Sequence, residues 1–480
     1  MEERFDIVIV GAGLAGITAA YRVQTMLPRK RFIILEARER IGGTWDIFKY
    51  PGIRSDSDLT TYGFPFAPWT EERQIASGPE IADYIRNTVT KFGIDEKIRL
   101  NRRVLTAEWS SREKRWELTV GVNGGEVIIH AGFVMWASGY YDQREGLNPI
   151  IPGIERFEGT VVHPQFWPEG LDYAGKRVVV IGSGATAITL LPTMAKTAAH
   201  VTMLQRSPSY VLSIPTVAPG DGVLRKYLPG WVSSRVIRWK YLLLPRLVME
   251  VCRLFPGLVK MGMRWITKAK LPVNIPHDPH FEPRYNMGEQ RICLAPDGDF
   301  FESLHRQNVG VVTGRIEAVT DKGIELESGE RLMADIIVTA TGLKIQLFGG
   351  ADVKVDGRSI RINEKYTWNG VMLQDVPNAG MLIGYTSTAW TLGVDIMAKL
   401  VVKLIKGMEE REKKVVTPRL DPEMGVRRAR LLDINATYVN IAVGSMPLAG
   451  DRGPWRRRRG YFEDCWKVGF GDLGEGVVFE

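Results

Sequence analysis

Residues 5–36 read FDIVIVGAGLAGITAAYRVQTMLPRKRFIILE, and the reading of this stretch decides the fold. FDIVIV is a short β-branched run of the kind buried on both faces of a parallel sheet. GAGLAG follows at once, ITAAYRVQTML has helical spacing, and FIILE is a second buried strand. Gly11, Gly13 and Gly16 therefore form GxGxxG between a strand and a helix. The first glycine permits the tight turn, the second lets a pyrophosphate approach the backbone, and the third lets helix pack on strand. The amides around Leu14 and Ala15 face that anion at the positive end of the helix. Glu36 stands 20 residues after Gly16, at the end of the second strand, where a carboxylate accepts ribose hydroxyls. The stretch predicts an α/β unit that binds a dinucleotide.

The pattern returns at 177–206 as RVVVI, GSGATA, ITLLPTMA and HVTMLQR. Here Gly182, Gly184 and Ala187 give the GxGxxA form, and the two copies begin 171 residues apart (182 minus 11), too far for a tandem repeat. Where an acid would select NAD, the second copy has Arg206 and Ser207. A guanidinium and a hydroxyl attract a 2′-phosphate that an acid would repel, so this unit is expected to take NADPH. A strand-end arginine facing solvent is the plainer alternative.

Between the copies, alternating stretches over 104–139 break at Gly124-Gly125, a hairpin signal within an antiparallel meander. FVMWASGYY (133–141) and ADIIVTATGL (334–343) both end in small-residue turns, and they are read as the places where the chain leaves and regains the first unit. The expected fold is α/β with two Rossmann-like dinucleotide-binding domains. The first is discontinuous, 1–149 and 331–480; the second is inserted at 150–330, with a helical excursion at about 220–275. VDIMAKLVVKLIKGM (394–408) places Ile396, Leu400, Val401, Leu404 and Ile405 on one face of a helix that closes the first domain.

Composition removes several other classes. A chain of 480 residues that is 45% hydrophobic and 25% charged is globular rather than disordered, and long enough for two or three domains. No uncharged apolar run reaches the roughly 18 residues a membrane span needs, and the first residues read as a strand rather than a secretory signal. A cytoplasmic protein is expected. Cys252, Cys293 and Cys465 form no CxxC pair, which leaves a disulfide framework, a zinc finger and a dithiol centre unsupported. His277 and His280 make HxxH beside Asp278 and Glu282 but lack further ligands at metal spacing, so no metal is expected.

The net charge of +8 is concentrated. Residues 223–270 hold eleven Lys/Arg and one acid, Glu250, so the rest of the chain is nearly neutral and nucleic acid is not an expected partner. The basic segment suits two readings. It is either a cap over a substrate pocket with its basic face in water, or a helix lying on the anionic inner face of the cell membrane. Arg456–Arg459 is read as a solvated helix face or a latch on the first domain. The oligomeric state is not legible.

Two nucleotide sites in one chain narrow the chemistry. A first site that opens the chain and carries Glu36 has the usual arrangement for FAD, and NADPH at the second would reduce it. A disulfide reductase needs the missing CxxC, and an oxidase has no need of the second site. Oxygen activation is left.

FEGTVVHPQFWP (157–168) fits FxGxxxHxxxWP through Phe157, Gly159, His163, Trp167 and Pro168, and GGTWDIFKYPGIRSD (42–56) supplies a second signature. In these motifs the chain resembles the type I Baeyer–Villiger monooxygenases, within the class B flavoprotein monooxygenases. LQRSPSY (204–210) and RICLAPDGDFF (291–301) resemble the shorter-chain bacterial subgroup that includes thioamide-activating enzymes. The resemblance implies a C4a-peroxyflavin that inserts one atom of dioxygen into a ketone, giving an ester or lactone, with sulfoxidation alongside. Oxygenation mainly of sulfur or nitrogen is the near alternative. A membrane-associated NADPH–quinone oxidoreductase is the distant one.

Such chemistry needs a fixed cation beside the flavin. The resemblance assigns that role to Arg291, with Asp56 orienting it; a surface charge and a helix N-cap are the plainer roles of the two. It further implies FAD contacts from Gly43, Thr44, Trp45, Asp46, Asp56 and Val104, and NADPH contacts from Arg54, Ser183, Ala185 and Thr186. His163 becomes part of an interdomain hinge. Gln290 stands where larger members carry a lysine, which puts more weight on Arg206 for NADPH. The helix after TSTAW (386–390) is expected to aim its positive end at the flavin, with Trp390 as pocket wall or core.

Overall fold

The computed structural model describes residues 3–386, 388–432 and 435–480, so that Ser387 of TSTAW and the first two residues of the expected first domain lie outside it. The strand Glu3–Val10 lies inside a nine-stranded sheet, parallel to Phe32–Leu35 on one side and to Gly125–Trp136 on the other. Val10 pairs with both Leu35 and Trp136, and the four residues Ile7–Val10 are buried, as a strand covered on two faces requires. The expected meander is present as Arg103–Ser110, Arg115–Val122 and Gly125–Trp136, antiparallel throughout. The last of these strands outruns the meander and joins the parallel part of the sheet.

Helix Leu14–Met26 packs against helix Trp390–Glu410 over this sheet. The stripe read from sequence, Ile396, Leu400, Val401, Leu404 and Ile405, is buried in the same core as Ile17 and Val23. Where the two helices meet, Arg22 pairs with the buried Asp395 at 2.6 Å.

The second sheet has five parallel strands in the order Val309–Thr313, His200–Gln205, Arg177–Ile181, Ile336–Thr339, Thr160–Val162. Ile336–Thr339 thus lies inside the inserted unit, flanked on both sides, and the unit's sheet runs past the expected edge at 330. An apolar run such as IIVT looks the same in sequence whichever parallel sheet receives it, which is why 334–343 reads equally as a return to the first unit.

The helical excursion is framed by two short parallel strands, Val211–Ile214 and Cys293–Pro296. Between them run helices Asp221–Tyr227, Gly230–Leu254 and Pro256–Lys268. The two crossings between the sheets lie side by side: Tyr141 bridges Ile345, and the Asp142 amide donates to Lys344 O at 2.8 Å. Among the described residues, no helix is long and apolar enough to cross a membrane.

Candidate active site

The first glycine turn is built by close approach. Gly11 has φ +107°, and a Cβ there would lie 2.7 Å from Ala137 O; a Cβ on Gly16 would lie 1.8 Å from Gly11 O. Gly13 faces Gly43 across the turn, where a Cβ on Gly43 would come within 3.1 Å of Gly13 Cα. Gly11 and Gly16 leave no room for a side chain, and Gly43 holds φ +55°. Beside it, the buried Glu36 accepts from the Ala12 amide (2.7 Å) and the Arg38 amide (3.0 Å), one bond to each carboxylate oxygen. Burial raises its pKa, and these amides oppose the rise. Each oxygen keeps a second lone pair, the number two ribose hydroxyls require. The cradle and the carboxylate together fit FAD.

The GGTW segment continues from this turn. Thr44 opens the short helix Thr44–Ile47, and Trp45 is buried with its Nε1–H donating to Tyr62 Oη at 3.0 Å. Asp46 gathers the cations that follow Glu36: Arg38 at 2.7 Å, Arg40 at 3.2 Å and Lys49 at 3.7 Å. Ala15 is buried in the core under the turn, and Val104 in the core on the other face of the sheet with Val10 and Trp136.

The second turn is more open. Gly182 has φ +138° and presses on Ala340 O, which a Cβ would approach to 2.4 Å, whereas a Cβ on Gly184 would meet nothing within 4 Å. Ala185 and Thr186, at the start of helix Ala185–Met194, are accessible, while Ala187 is fully buried against the sheet. Ser183 donates to Ser207 O at 2.9 Å and lies 3.0 Å from Ser209 Oγ. Arg206 is exposed at the end of its strand, its Nη2 3.4 Å from Thr437 Oγ1. An open glycine, free amides at a helix start and an exposed guanidinium fit a phosphorylated dinucleotide. Arg54, expected among these contacts, is joined at two points to Asp299 of the inserted unit.

Arg291 lies between the turns. Strand pairing at 293–296 fixes the chain just after it, and Cys293 Sγ lies 3.6 Å from Ser183 O of the second turn. On the other side, Tyr62, which feels the Arg291 charge, bonds Trp45 of the segment that follows the first turn. Arg291 Nη1 lies 3.7 Å from Asp56 Oδ2, the pairing that the sequence resemblance implies. The N-cap alternative for Asp56 falls to Asp58, which accepts from the Thr61 amide at 2.7 Å at the head of helix Leu59–Tyr62. Burial pushes the Asp58 carboxyl up to about 6.

Tyr140, Tyr141 and Tyr438 lie within electrostatic reach of the guanidinium. The Arg291 side chain is 44% exposed; what burial it has opposes its charge, the Asp56 carboxylate favours it, and its pKa is raised. Tyr140 bonds Tyr141 through the hydroxyls and stacks on Trp390 at 4.8 Å between centroids, so Trp390 packs against the phenols. The phenols are the part the sequence reading missed. They come from two segments about three hundred residues apart, and the only local signal was the Tyr pair in SGYY.

His163 joins the two crossings. Its Nδ1 accepts from the Gln165 amide at 3.2 Å, which leaves the proton on Nε2 to donate to Gly342 O, also at 3.2 Å. Phe157 is buried beneath the sheet, and a Cβ on Gly159 would strike Asp335 O at 2.4 Å. Trp167 packs with Phe48 and Tyr50, which the GGTW segment inserts into the core of the second unit; Pro168 follows it, its carbonyl accepting from the Leu171 amide. The fingerprint residues thus join the two crossings and pack in the core of the inserted unit.

Other candidates resolve plainly. His277 faces Glu282 at 3.3 Å while His280 bonds Thr313, so the HxxH pair diverges. Among the described residues, no cluster is placed to hold a metal. The three cysteines are free thiols. Arg458 is a latch, bonded to Asp464 at 2.7 Å and to Ile383 O at 3.0 Å, with its guanidinium over the Tyr385 ring.

Residues 8–214 match the family model described as pyridine nucleotide-disulphide oxidoreductase. Over 99% of its length the chain is 44% identical to the FAD-containing monooxygenase EthA of Mycolicibacterium smegmatis, of which it covers 96%. Among solved structures it is similar to an oxidized steroid monooxygenase bound to NADP (TM-score 0.77, 23% identity, 99% of each chain). It is also similar to an open form of cyclohexanone monooxygenase (TM-score 0.74, 22% identity, 100% of each chain).

Proposed function

The chain belongs to the family of FAD-containing monooxygenases, and from that premise we propose that it uses NADPH and dioxygen to insert one oxygen atom into a ketone, giving an ester or lactone. What supports this most is the Arg291–Asp56 pair set between the two nucleotide turns. FAD, when bound, accepts hydride from NADPH and activates dioxygen. The chain's own task is to hold a positive charge where negative charge develops, and to hold it still.

Arg291 meets the first need. Asp56 meets the second from one side, with the phenols of Tyr140, Tyr141 and Tyr438 in the same neighbourhood. A cation fixed in advance costs no reorganisation when the charge appears. Glu36 and the cradle of Gly11, Gly13, Gly16 and Gly43 would hold the flavin nucleotide. Gly182, Gly184 and the start of helix Ala185–Met194 would hold the pyrophosphate of NADPH, with Arg206 and Ser207 at its 2′-phosphate. His163 keeps the two crossings in register while the units change their relation.

The test is direct. The purified FAD-loaded chain should consume NADPH faster when ketones are added, and ester should appear by mass spectrometry with one atom from ¹⁸O₂. A panel of sulfides is run beside the ketones. Turnover of sulfides alone would replace ketone insertion with sulfur oxygenation at the same site.

A further inference from the structure

The helical excursion presents its apolar side outward. In helix Pro256–Lys268 the buried residues are Met263 and Thr267, while Leu258, Met261 and Trp265, on the opposite face, are 62%, 64% and 74% exposed. Helix Gly230–Leu254 likewise leaves Leu243, Leu247 and Leu254 in the open, the last two at 62%. Helix Tyr461–Phe470 extends the surface from another part of the chain. Its Phe462 stacks on Trp239 at 5.9 Å, and Trp466 and Phe470, one and two turns on, are 65% and 82% exposed. An outward apolar face of this extent on three helices marks a binding surface rather than ordinary solvent exposure.

Charge identifies the occupant. Residues 223–270 carry a net +10 (eleven cations, one acid). Arg235 and Arg246 lie over the Trp231 and Phe462 rings, at the border of the apolar face. Tryptophan and leucine ringed by arginine and lysine is the composition of a helix seated at the boundary between acyl chains and anionic headgroups. None of the described helices can span a bilayer, so the chain would lie on it. We propose that these three helices form one docking face for an anionic lipid bilayer. The inner side of this face reaches the site already described: Arg238 bonds Thr60 O, and Leu242 packs near Tyr62 and Tyr385. An apolar substrate dissolved in the bilayer would thus meet the chain beside Tyr62 and Tyr385.

The test uses the FAD-loaded chain and vesicles of phosphatidylcholine with rising phosphatidylglycerol. Co-sedimentation should grow with the anionic lipid and weaken between about 0.1 M and about 0.5 M salt. Replacing Arg235, Arg246 or Lys268 by Gln should lower the binding constant about fivefold each. The double variant Trp265→Ser, Trp466→Ser should lower it about tenfold or more, with NADPH oxidation in solution and thermal melting unchanged. Quenching of tryptophan fluorescence by brominated lipid in the parent, but not in that variant, would locate the inserted side chains. Failure to sediment with vesicles of half phosphatidylglycerol would overturn the proposal. So would a concentration-dependent dimer by light scattering that the same substitutions abolish, since that assigns the face to a second copy. Neither result depends on which substrate is oxidised.

Discussion

Removing the Arg291 guanidinium takes away the cation that Asp56 faces at 3.7 Å. Arg291→Ala should cost on the order of 10²–10³ in the rate of product formation, as loss of an oxyanion-type donor does, while flavin absorbance shows FAD retained. Asp56→Asn should cost less, about tenfold, because its 3.7 Å contact orients the guanidinium without being its only neighbour. The glycines give a second contrast. Gly16→Ala places a Cβ against Gly11 O and should yield protein without flavin. Gly184→Ala meets open space in the chain, so the fold should stand while KM for NADPH rises. Gly11, Gly16 and Glu36 were legible because each lies in a motif of fixed spacing, whereas Arg291 and Asp56 were suggested only by the family resemblance. The phenols at 140, 141 and 438 were not, since no spacing connects a crossing loop with a helix three hundred residues on.

At the scale of elements, two pieces tie the units together. The segment that begins at Gly43 buries Phe48 and Tyr50 in the core of the inserted unit. Phe48→Ala should therefore cost about 3–5 kcal/mol of stability, read in denaturant, and should loosen the second unit more than the first by hydrogen exchange. The other piece is the His163 clasp. Burial lowers the His163 pKa from 6.5, and the bond to Gly342 O opposes only part of that. The native chain thus favours the neutral ring, and the unfolded chain takes up the proton first as pH falls. The clasp's contribution is complete above about pH 6.5 and declines below it. His277 and His280 are shifted the same way, so the comparison to make is parent against His163→Gln. The variant's melting temperature should fall less steeply between about pH 7 and about pH 5, and its product yield per NADPH should drop with FAD in place. The closing helix Trp390–Glu410 was legible from its stripe. Ile336–Thr339 was not assignable to a sheet, because pairing partners leave no mark on an apolar tetrapeptide.

Across the whole molecule, two glycine turns with strands and helices around them were enough to read two nucleotide units, one interrupted by the other. Charge segregation was legible too, but not its geometry. That the apolar faces of the excursion point outward, and that Trp466 and Phe470 join them, depends on how the third helix packs. The two crossings carry a consequence of their own. Asp142 and Lys344 are one hydrogen bond apart, so everything between them starts and finishes at nearly the same point in space. A replacement for that whole stretch could be spliced in through two neighbouring seams, but it would also have to offer a pocket for Phe48 and Tyr50 and a partner for Arg54.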